Sequence, residues 1–382
     1  MDFSLQESIL EMKKVVAAFV AKGVDPRAKE IEEADAIPED IVAKCKDMGL
    51  FGLGIPENYG GLGLGMVGRA AILEELGKTI NGFTTFIGGH VGIGTVGIVA
   101  FGSKDQKLRY LPKMASGDWI GAFALTEPDA GSDAASLKTT AVKKGERYVL
   151  NGSKHFITNG DVAQVFTVMA KTDPKAGPRG ISSFLVEKGF PGLRVGKLEK
   201  KMGLKGSHTT GLSFEDCEVP EENLLGKEGE GFVNALKVLT NGRAGLAARN
   251  LGSCQKLLEL SLAYASERVQ FGRPILAQPA IRHYLAEMAT EVELVRSMVY
   301  RVAWMVDQGQ NVIKEAAMVK LFASEAYNRI ADKALQVHGG MGYMCDMPIE
   351  RYYRDARITR IYEGTSEIQK NIIARELEKG LE

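Results

Sequence analysis

The spacing of apolar residues changes twice along this chain, and each change limits what the segment on either side can fold into. From Leu5 to about Met114 the apolar residues recur at helical intervals, as in Ile41, Val42, Cys45 and Met48, and Pro38-Glu39-Asp40 is placed to open a helix. Between Ile120 and Leu225 the pattern turns to short alternating or β-branched runs: Tyr148-Val149-Leu150, Phe156-Ile157-Thr158, Val165-Phe166-Thr167-Val168 and Ser183-Phe184-Leu185-Val186. Asn151-Gly152, Asn159-Gly160 and Pro191-Gly192 punctuate these runs, which predicts antiparallel strands joined by tight turns. After Gly231 the helical period returns over roughly 232–268, 279–308, 312–337 and a last helix from Thr365, with Ser366-Glu367-Ile368 as its cap. The predicted class is therefore α+β: an N-terminal helical domain over 1–118, a middle antiparallel β domain over 119–228 and a C-terminal helical bundle over 229–382. No repeat or low-complexity linker separates the zones, so they are expected to pack together.

The chain's 382 residues allow a large core and a deep pocket. Lys and Arg total 48 against 48 Asp and Glu, so net charge points to neither nucleic acid nor an acidic membrane surface as a partner. Cys45, Cys217, Cys254 and Cys345 stand far apart, without zinc-site or redox-dithiol spacing, and read as reduced thiols. The start, Met1-Asp2-Phe3-Ser4-Leu5-Gln6-Glu7, lacks a basic and an apolar leader region, which predicts a cytoplasmic location. No apolar run reads as long enough for a membrane span: 92–101 is short and holds three glycines. The glycine-rich Gly60-Gly61-Leu62-Gly63-Leu64-Gly65 has no strand before it, so it reads as a turn rather than a dinucleotide fingerprint.

Four segments hold residues suited to chemistry. Leu125-Thr126-Glu127-Pro128-Asp129-Ala130-Gly131-Ser132-Asp133 offers hydroxyls, amides and a backbone that a ligand can approach; a polar interdomain loop has the same composition. In Glu267-Arg268-Val269-Gln270-Phe271-Gly272-Arg273-Pro274, Arg268 could grip a pyrophosphate and Phe271 an aromatic ring, or the run simply closes a helix. Gln336-Val337-His338-Gly339-Gly340-Met341-Gly342-Tyr343 breaks a helical pattern with three glycines, to meet a ligand or another subunit or as a plain turn. His90, His155, His208, His283 and His338 show no ligand spacing, so no metal site is assigned. In Ile361-Tyr362-Glu363-Gly364-Thr365-Ser366-Glu367, a carboxylate between apolar residues and glycine is open to desolvation, which strengthens it as a base; an acidic residue serving the dipole of the next helix is the alternative.

Together and in this order, the four segments resemble the acyl-CoA dehydrogenase family over essentially the whole chain. Asn151-Gly152-Ser153-Lys154-His155-Phe156-Ile157-Thr158-Asn159, Lys200-Lys201-Met202-Gly203 and Phe214-Glu215-Asp216-Cys217-Glu218-Val219-Pro220 extend the match. The resemblance implies FAD as cofactor, an acyl-CoA substrate, electron-transfer flavoprotein as oxidant of the reduced flavin, and a homotetramer or dimer. Carried over by position, Phe123, Leu125, Thr126, Ser132, Phe156, Ile157 and Thr158 would line the flavin. Arg268, Phe271, Gln278, Gln336, Gly339 and Gly340 would reach the FAD of a neighbouring subunit. Thr365 and Glu367 would complete the cofactor site, although many relatives carry Gln at the latter position. Ser132, Arg243 and Gly364 would lie near the thioester.

In that family a catalytic glutamate, here Glu363, removes the α-proton while the β-hydrogen leaves as hydride to flavin N5, giving a trans-2-enoyl-CoA. Its own backbone N–H and a ribityl hydroxyl stabilise the thioester oxygen. The isovaleryl-CoA dehydrogenase branch carries its base near the segment matching Thr240-Asn241-Gly242-Arg243; Gly242 offers none, which leaves the role to Glu363. Glutaryl-CoA dehydrogenases hold the distal carboxylate with an arginine, and none lies between Arg69 and Arg109 here. Gly88-Gly89-His90-Val91-Gly92-Ile93-Gly94 matches the pocket floor, and its missing side chains suggest a deep tunnel for a medium-to-long straight chain, with short-chain use as the second expectation. Asn241-Gly242-Arg243 and Asp133-Ala134-Ala135-Ser136 resemble the very-long-chain branch, whose extra C-terminal domain is not seen. An acyl-CoA oxidase and a non-catalytic acyl-CoA-binding protein are the rival readings.

Overall fold

The computed structural model describes residues 5–381. The first zone folds as α1 (Glu7–Phe19), α2 (Ala28–Ala34), α3 (Glu39–Asp47), α4 (Met66–Leu76), α5 (Asn81–Gly88), α6 (Val96–Phe101) and α7 (Lys104–Ala115). α3 opens directly after Pro38, at the expected Pro38-Glu39-Asp40 start. α7 opens on a capping box in which Ser103 Oγ accepts from Gln106 N and Gln106 Oε1 accepts from Ser103 N. The 60–65 glycines form a turn, with left-handed backbone at Gly60 and Gly63.

The middle zone is a sheet of β1 (Gly121–Ala124), β2 (Thr140–Lys144), β3 (Arg147–Thr158), β4 (Val165–Lys171), β5 (Ile181–Glu187), β6 (Leu193–Leu198), β7 (Thr209–Pro220) and β8 (Leu224–Leu225). Its order is β6-β7-β3-β2-β4-β5-β8, with β1 beside β4. Two details differ from the sequence reading. β1 runs parallel to β4, so the sheet is mixed rather than purely antiparallel. Asn151-Gly152 is not a turn but lies inside β3, at a register shift against β7. A Cβ on Gly152 would stand 2.6 Å from Thr139 Oγ1, so this glycine marks a close strand crossing, and the β2–β3 turn falls at Gly145-Glu146. β4 is buried on both faces, which explains its continuous apolar run. Phe166 and Val168 pack among the other strands, while Val165 meets Tyr110 and Leu111 of α7.

α8 (Gly231–Glu267) leads the last zone; at helical rise its 37 residues extend about 55 Å. A short hairpin of β9 (Val269–Gln270) and β10 (Arg273–Pro274) follows, then α9 (Pro279–Asp307), α10 (Ile313–His338), α11 (Ile349–Ile358) and α12 (Ser366–Glu378). Thr365, one residue before the expected cap, caps α12 by accepting from Ile368 N at 3.3 Å. One core joins both helical zones: Val16, Ile72, Leu76 and Phe83 pack in the same cluster as Ala247, Leu251, Val292 and Tyr327.

The membrane reading needs correction. The helical stretch Asn81–Phe101 is long and apolar enough to cross a membrane, with a mean hydropathy of 1.5 over its most apolar window. Of that window 67% is buried within the protein, so α5, the π-helical segment Gly89–Gly94 and α6 serve here as interior structure.

Candidate active site

Glu363 sits in the link between α11 and α12, and its backbone is left-handed, with φ 55° followed by 92° at Gly364. Glycine adopts that conformation freely, but a glutamate held there costs on the order of 1 kcal/mol and needs outside support. Support comes from three elements. Gln369 Nε2 of α12 donates to the carbonyls of Glu363 (3.1 Å) and Gly364 (3.0 Å). Lys320 Nζ of α10 donates to Gly364 O at 2.6 Å, and Arg243 Nε of α8 to Glu363 O at 3.3 Å. The turn therefore directs the side chain into the protein, where it is only 11% exposed.

The carboxylate is surrounded by cations yet incompletely hydrogen-bonded. Arg249 Nη2 of α8 lies 3.9 Å from Oε1, while Oε2 is buried with no partner. A Cβ on Gly242 would come within 2.7 Å of Oε2 and 3.0 Å of Ile93 Cγ2, so α8, the π-helical segment and the Glu363 turn converge on one small space. Burial pushes the Glu363 carboxyl above the usual range, with Arg249, Lys320 and Arg243 acting in the opposite direction. Burial also raises the Tyr362 hydroxyl to about 12. A desolvated carboxylate with one free oxygen is equipped to accept a proton.

Ile93 leads from this space to the end of β1, since it packs in a cluster with Phe123 and Leu125. Beyond β1 the chain is fixed to β3. His155 N donates to Thr126 O at 2.8 Å, and buried Lys154 donates to Leu125 O (3.1 Å) and Glu127 Oε1 (2.7 Å). Glu127 also accepts from Thr139 N (3.0 Å) and Thr139 Oγ1 (2.5 Å). Burial draws Lys154 down to about 8 against the pull of Glu127. A second register shift in β3, between Lys154 and Ile157, puts Phe156 on left-handed backbone with the residue 62% exposed. Thr158 faces the π-helical segment, 3.2 Å from where Gly89 would carry a Cβ. Phe123, Leu125, Thr126, Phe156 and Thr158 thus supply apolar walls with hydroxyls at the rim, which fits a flat heteroaromatic ring, while the Ile157 side chain packs into the core among the strands. Ser132 is exposed in the loop after Gly131, and Glu367 is exposed with its carboxylate held by its own amide and Thr365 at the start of α12.

The remaining expected cofactor residues lie elsewhere. Arg268, Phe271 and Gln278 belong to the hairpin region beyond α8, while Gln336, Gly339 and Gly340 mark the end of α10; Tyr264 stacked on His338 at 4.4 Å joins these two ends. From Lys320 to Gln336 is about 24 Å at helical rise, so this group does not border the Glu363 space of its own chain. Phe271 is 93% exposed on left-handed backbone, and Gly339 and Gly340 face open space. Among the described residues no cluster of His, Cys, Asp and Glu forms a metal site.

Comparison with known proteins settles the family. The acyl-CoA dehydrogenase N-terminal, middle and C-terminal domain descriptions match residues 6–118, 122–217 and 229–378. The chain belongs to the acyl-CoA dehydrogenase family. It is thus an oxidoreductase of an FAD-dependent family. An acyl-CoA dehydrogenase of Bacillus subtilis is 48% identical to it over 97% of this chain and 98% of the relative. The acryloyl-CoA reductase (NADH) of Anaerotignum propionicum is 45% identical over 99% and 96%. The short-chain specific acyl-CoA dehydrogenase of Clostridium acetobutylicum is 41% identical over 98% and 99%. Among solved structures, butyryl-CoA dehydrogenase from Megasphaera elsdenii superposes with TM-score 0.96 at 37% identity, covering 99% and 100% of the chains. A chain from work on the electron transferring flavoprotein of Acidaminococcus fermentans and flavin-based electron bifurcation gives TM-score 0.96 at 44% identity, covering 99% of each.

For this acyl-CoA dehydrogenase the sequence reading passed over Arg249, Lys320 and Gln369, and gave Lys154 and Glu127 no role. Lys320 carries a visible signal: it interrupts the stripe of Ala316, Ala317, Ala323, Ser324 and Tyr327 that α10 buries. Arg249 lies likewise within the run from Gly242 to Cys254, every residue of which is buried.

Proposed function

We propose that this protein catalyses the α,β-dehydrogenation of short, straight acyl-CoA thioesters, with Glu363 as the base. The observation that carries the reading is a buried glutamate with one unpartnered oxygen, aimed into the same space as the β1 end and Ile93. Glu363 takes the α-proton, and burial makes the proton transfer more favourable than it would be to an exposed carboxylate. Among the described residues the Glu363 N–H donates to no backbone carbonyl, so it is free to stabilise charge on the thioester oxygen. Arg243 and Lys320 hold the turn while the carboxylate changes charge. FAD, when bound, supplies the acceptor for the β-hydrogen, and Phe123, Leu125, Thr126, Phe156 and Thr158 would hold its ring with Thr365 nearby. Arg268, Phe271, Gln278, Gln336, Gly339 and Gly340 would serve a second copy of the chain, which accounts for the exposure of all but the half-buried Gln278 so far from Glu363.

Support for a short chain comes from how the floor is filled. The spaces left by Gly88, Gly89 and Gly94 are taken up by the Arg249 guanidinium (2.7 Å from the would-be Cβ), Thr158 (3.2 Å) and Gly121 O (2.5 Å); Gly92 faces open space. The similarities to short-chain specific and butyryl-CoA dehydrogenases point the same way. Electron transferring flavoprotein as electron acceptor is supported by the 44% identical chain from that system. Similarity to the acryloyl-CoA reductase favours a second reading, in which the same residues work on the enoyl thioester in the reductive direction. Anaerobic titration of the purified protein with straight acyl-CoAs of increasing length tests the proposal. Flavin bleaching strongest with butyryl-CoA is expected; no bleaching by any thioester would refute it, and strongest bleaching by long chains would refute the short-chain assignment. Acryloyl-CoA reoxidising the reduced flavin faster than butyryl-CoA reduces it would favour the second reading.

A further inference from the structure

α10 buries a lysine where its neighbours are small and apolar. Lys320 is 0% exposed between Ala316, Ala317 and Ala323, and its Nζ donates to a neutral acceptor, Gly364 O, at 2.6 Å. A buried ammonium ordinarily has a carboxylate in contact. Among the described residues no carboxylate lies within salt-bridge distance of Lys320; Lys314, earlier on α10, has Glu315. The nearest candidate on its own helix, Glu325, is committed elsewhere: it accepts from Arg360 Nε at 2.9 Å and Ser366 Oγ at 2.7 Å. Glu367 is exposed. The charge left to balance Lys320 is Glu363, the residue before the carbonyl it holds.

We propose that Lys320 is a positioning residue for the base, fixing the left-handed Glu363-Gly364 turn through the Gly364 carbonyl and supplying the buried positive charge that keeps Glu363 ionised between turnovers. The inference rests on the reading of Glu363 as the base. Charged groups face Glu363 from two helices: Arg249 and Arg243 on α8 and Lys320 on α10, with Tyr362 adjacent in the chain. Facing Lys320 are Glu363, Arg243, Glu325 and Glu367. Arg249 is also engaged with Thr84 O and Thr85 Oγ1, and Arg243 with the Glu363 carbonyl. Lys320 is the one of the three whose hydrogen bond secures the glycine that follows the base. Burial draws it down to about 8, with the attraction of Glu363 the first influence holding it up. The two groups therefore titrate as a coupled pair: each charge sustains the other.

Two substitutions separate the clamp from the charge. Lys320→Gln keeps a donor for Gly364 O without the charge; Lys320→Met removes both. In the FAD-loaded protein, single-turnover flavin reduction by butyryl-CoA is followed against pH, together with infrared titration of the carboxyl band that Glu363→Gln removes. Loss of a neighbouring cation makes the carboxylate easier to protonate, so Lys320→Gln is expected to move the acid limb and the band upward by about one pH unit. That amounts to about a tenfold lower rate below the limb and little change above it. Lys320→Met adds a fall at every pH. An acid limb and band unmoved in Lys320→Gln would overturn the proposal. If neither variant folds, ¹⁵N-lysine resonances of the Glu363→Gln protein decide, since coupling requires Lys320 to titrate lower there, and an unchanged titration would overturn it equally. Glu363→Gln reducing flavin at the wild-type rate would remove the base reading itself, whereas an inert Glu363→Gln with an unmoved Lys320→Gln limb removes this inference alone.

Discussion

Glu363 Oε2 lies 2.7 Å from the position a Cβ would take on Gly242, so the base occupies the room that the missing side chain provides. Gly242 is in the interior of α8, where alanine ordinarily gains up to about 1 kcal/mol in helix propensity. Here the methyl group would displace the carboxylate. Gly242→Ala is expected to keep its FAD and its thermal stability while flavin reduction by butyryl-CoA in anaerobic rapid mixing falls about a hundredfold, the scale of an ångström's misplacement. A wild-type rate would show that the carboxylate does not depend on this space.

Much of that arrangement was legible in the sequence and some was not. Periodicity located the long helices within a residue or two, and the apolar residues and glycine flanking Glu363 marked it as open to desolvation, but the left-handed turn that aims it was not foreseen. Asn151-Gly152 misled because the dipeptide that suits a hairpin turn also suits a bulge, and only pairing with β7 and the crossing at Thr139 decide between them. The parallel partnership of β1 with β4 depends on contacts distant in sequence and leaves no local mark. Lys320 was passed over although it is a charge in an apolar stripe, because its target lies 44 residues further on. The glycines of 88–94 suggested empty space, whereas Arg249 and Thr158 arrive from other elements to fill two of those positions.

The Lys154–Glu127 pair ties the segment after β1 to β3, with side chains 0% and 5% exposed. Removing one partner of a buried pair leaves the other uncompensated, at a cost of about 3–5 kcal/mol, and the Thr139 donors that remain to Glu127 place the loss at the lower end. Lys154→Met is expected to lower the melting temperature and weaken FAD retention on gel filtration. Adding Glu127→Gln is expected to recover part of the stability. If the double variant melts below the single one, the pair is not the source of the effect.

His208 links three parts of the chain, bonding Asp161 Oδ2 at 2.5 Å and Asp35 O at 2.6 Å. Its hydrogen bond to the Asp161 carboxylate raises the imidazole above its usual value of 6.5, and burial opposes it. A group raised in the folded state stabilises below its unfolded value, and that contribution is lost as pH rises through the folded one. Asp161 is held below its usual 3.8 by His208 although burial acts against it, so its contribution is lost only in acid. His208→Gln is therefore expected to cost about 1 kcal/mol near pH 5.5 and less by about pH 9. Melting temperatures of both proteins across that range test it; a gap that widens as pH rises would contradict the assignment.

The role of Glu363 as base is tested most directly by Glu363→Gln, which keeps the side chain's size and removes its basicity. Purified with FAD and mixed anaerobically with butyryl-CoA, this variant is predicted to retain the cofactor and bind the thioester while flavin bleaching slows about a hundred- to ten-thousandfold, the span of general-base catalysis. Bleaching at the wild-type rate would contradict the account.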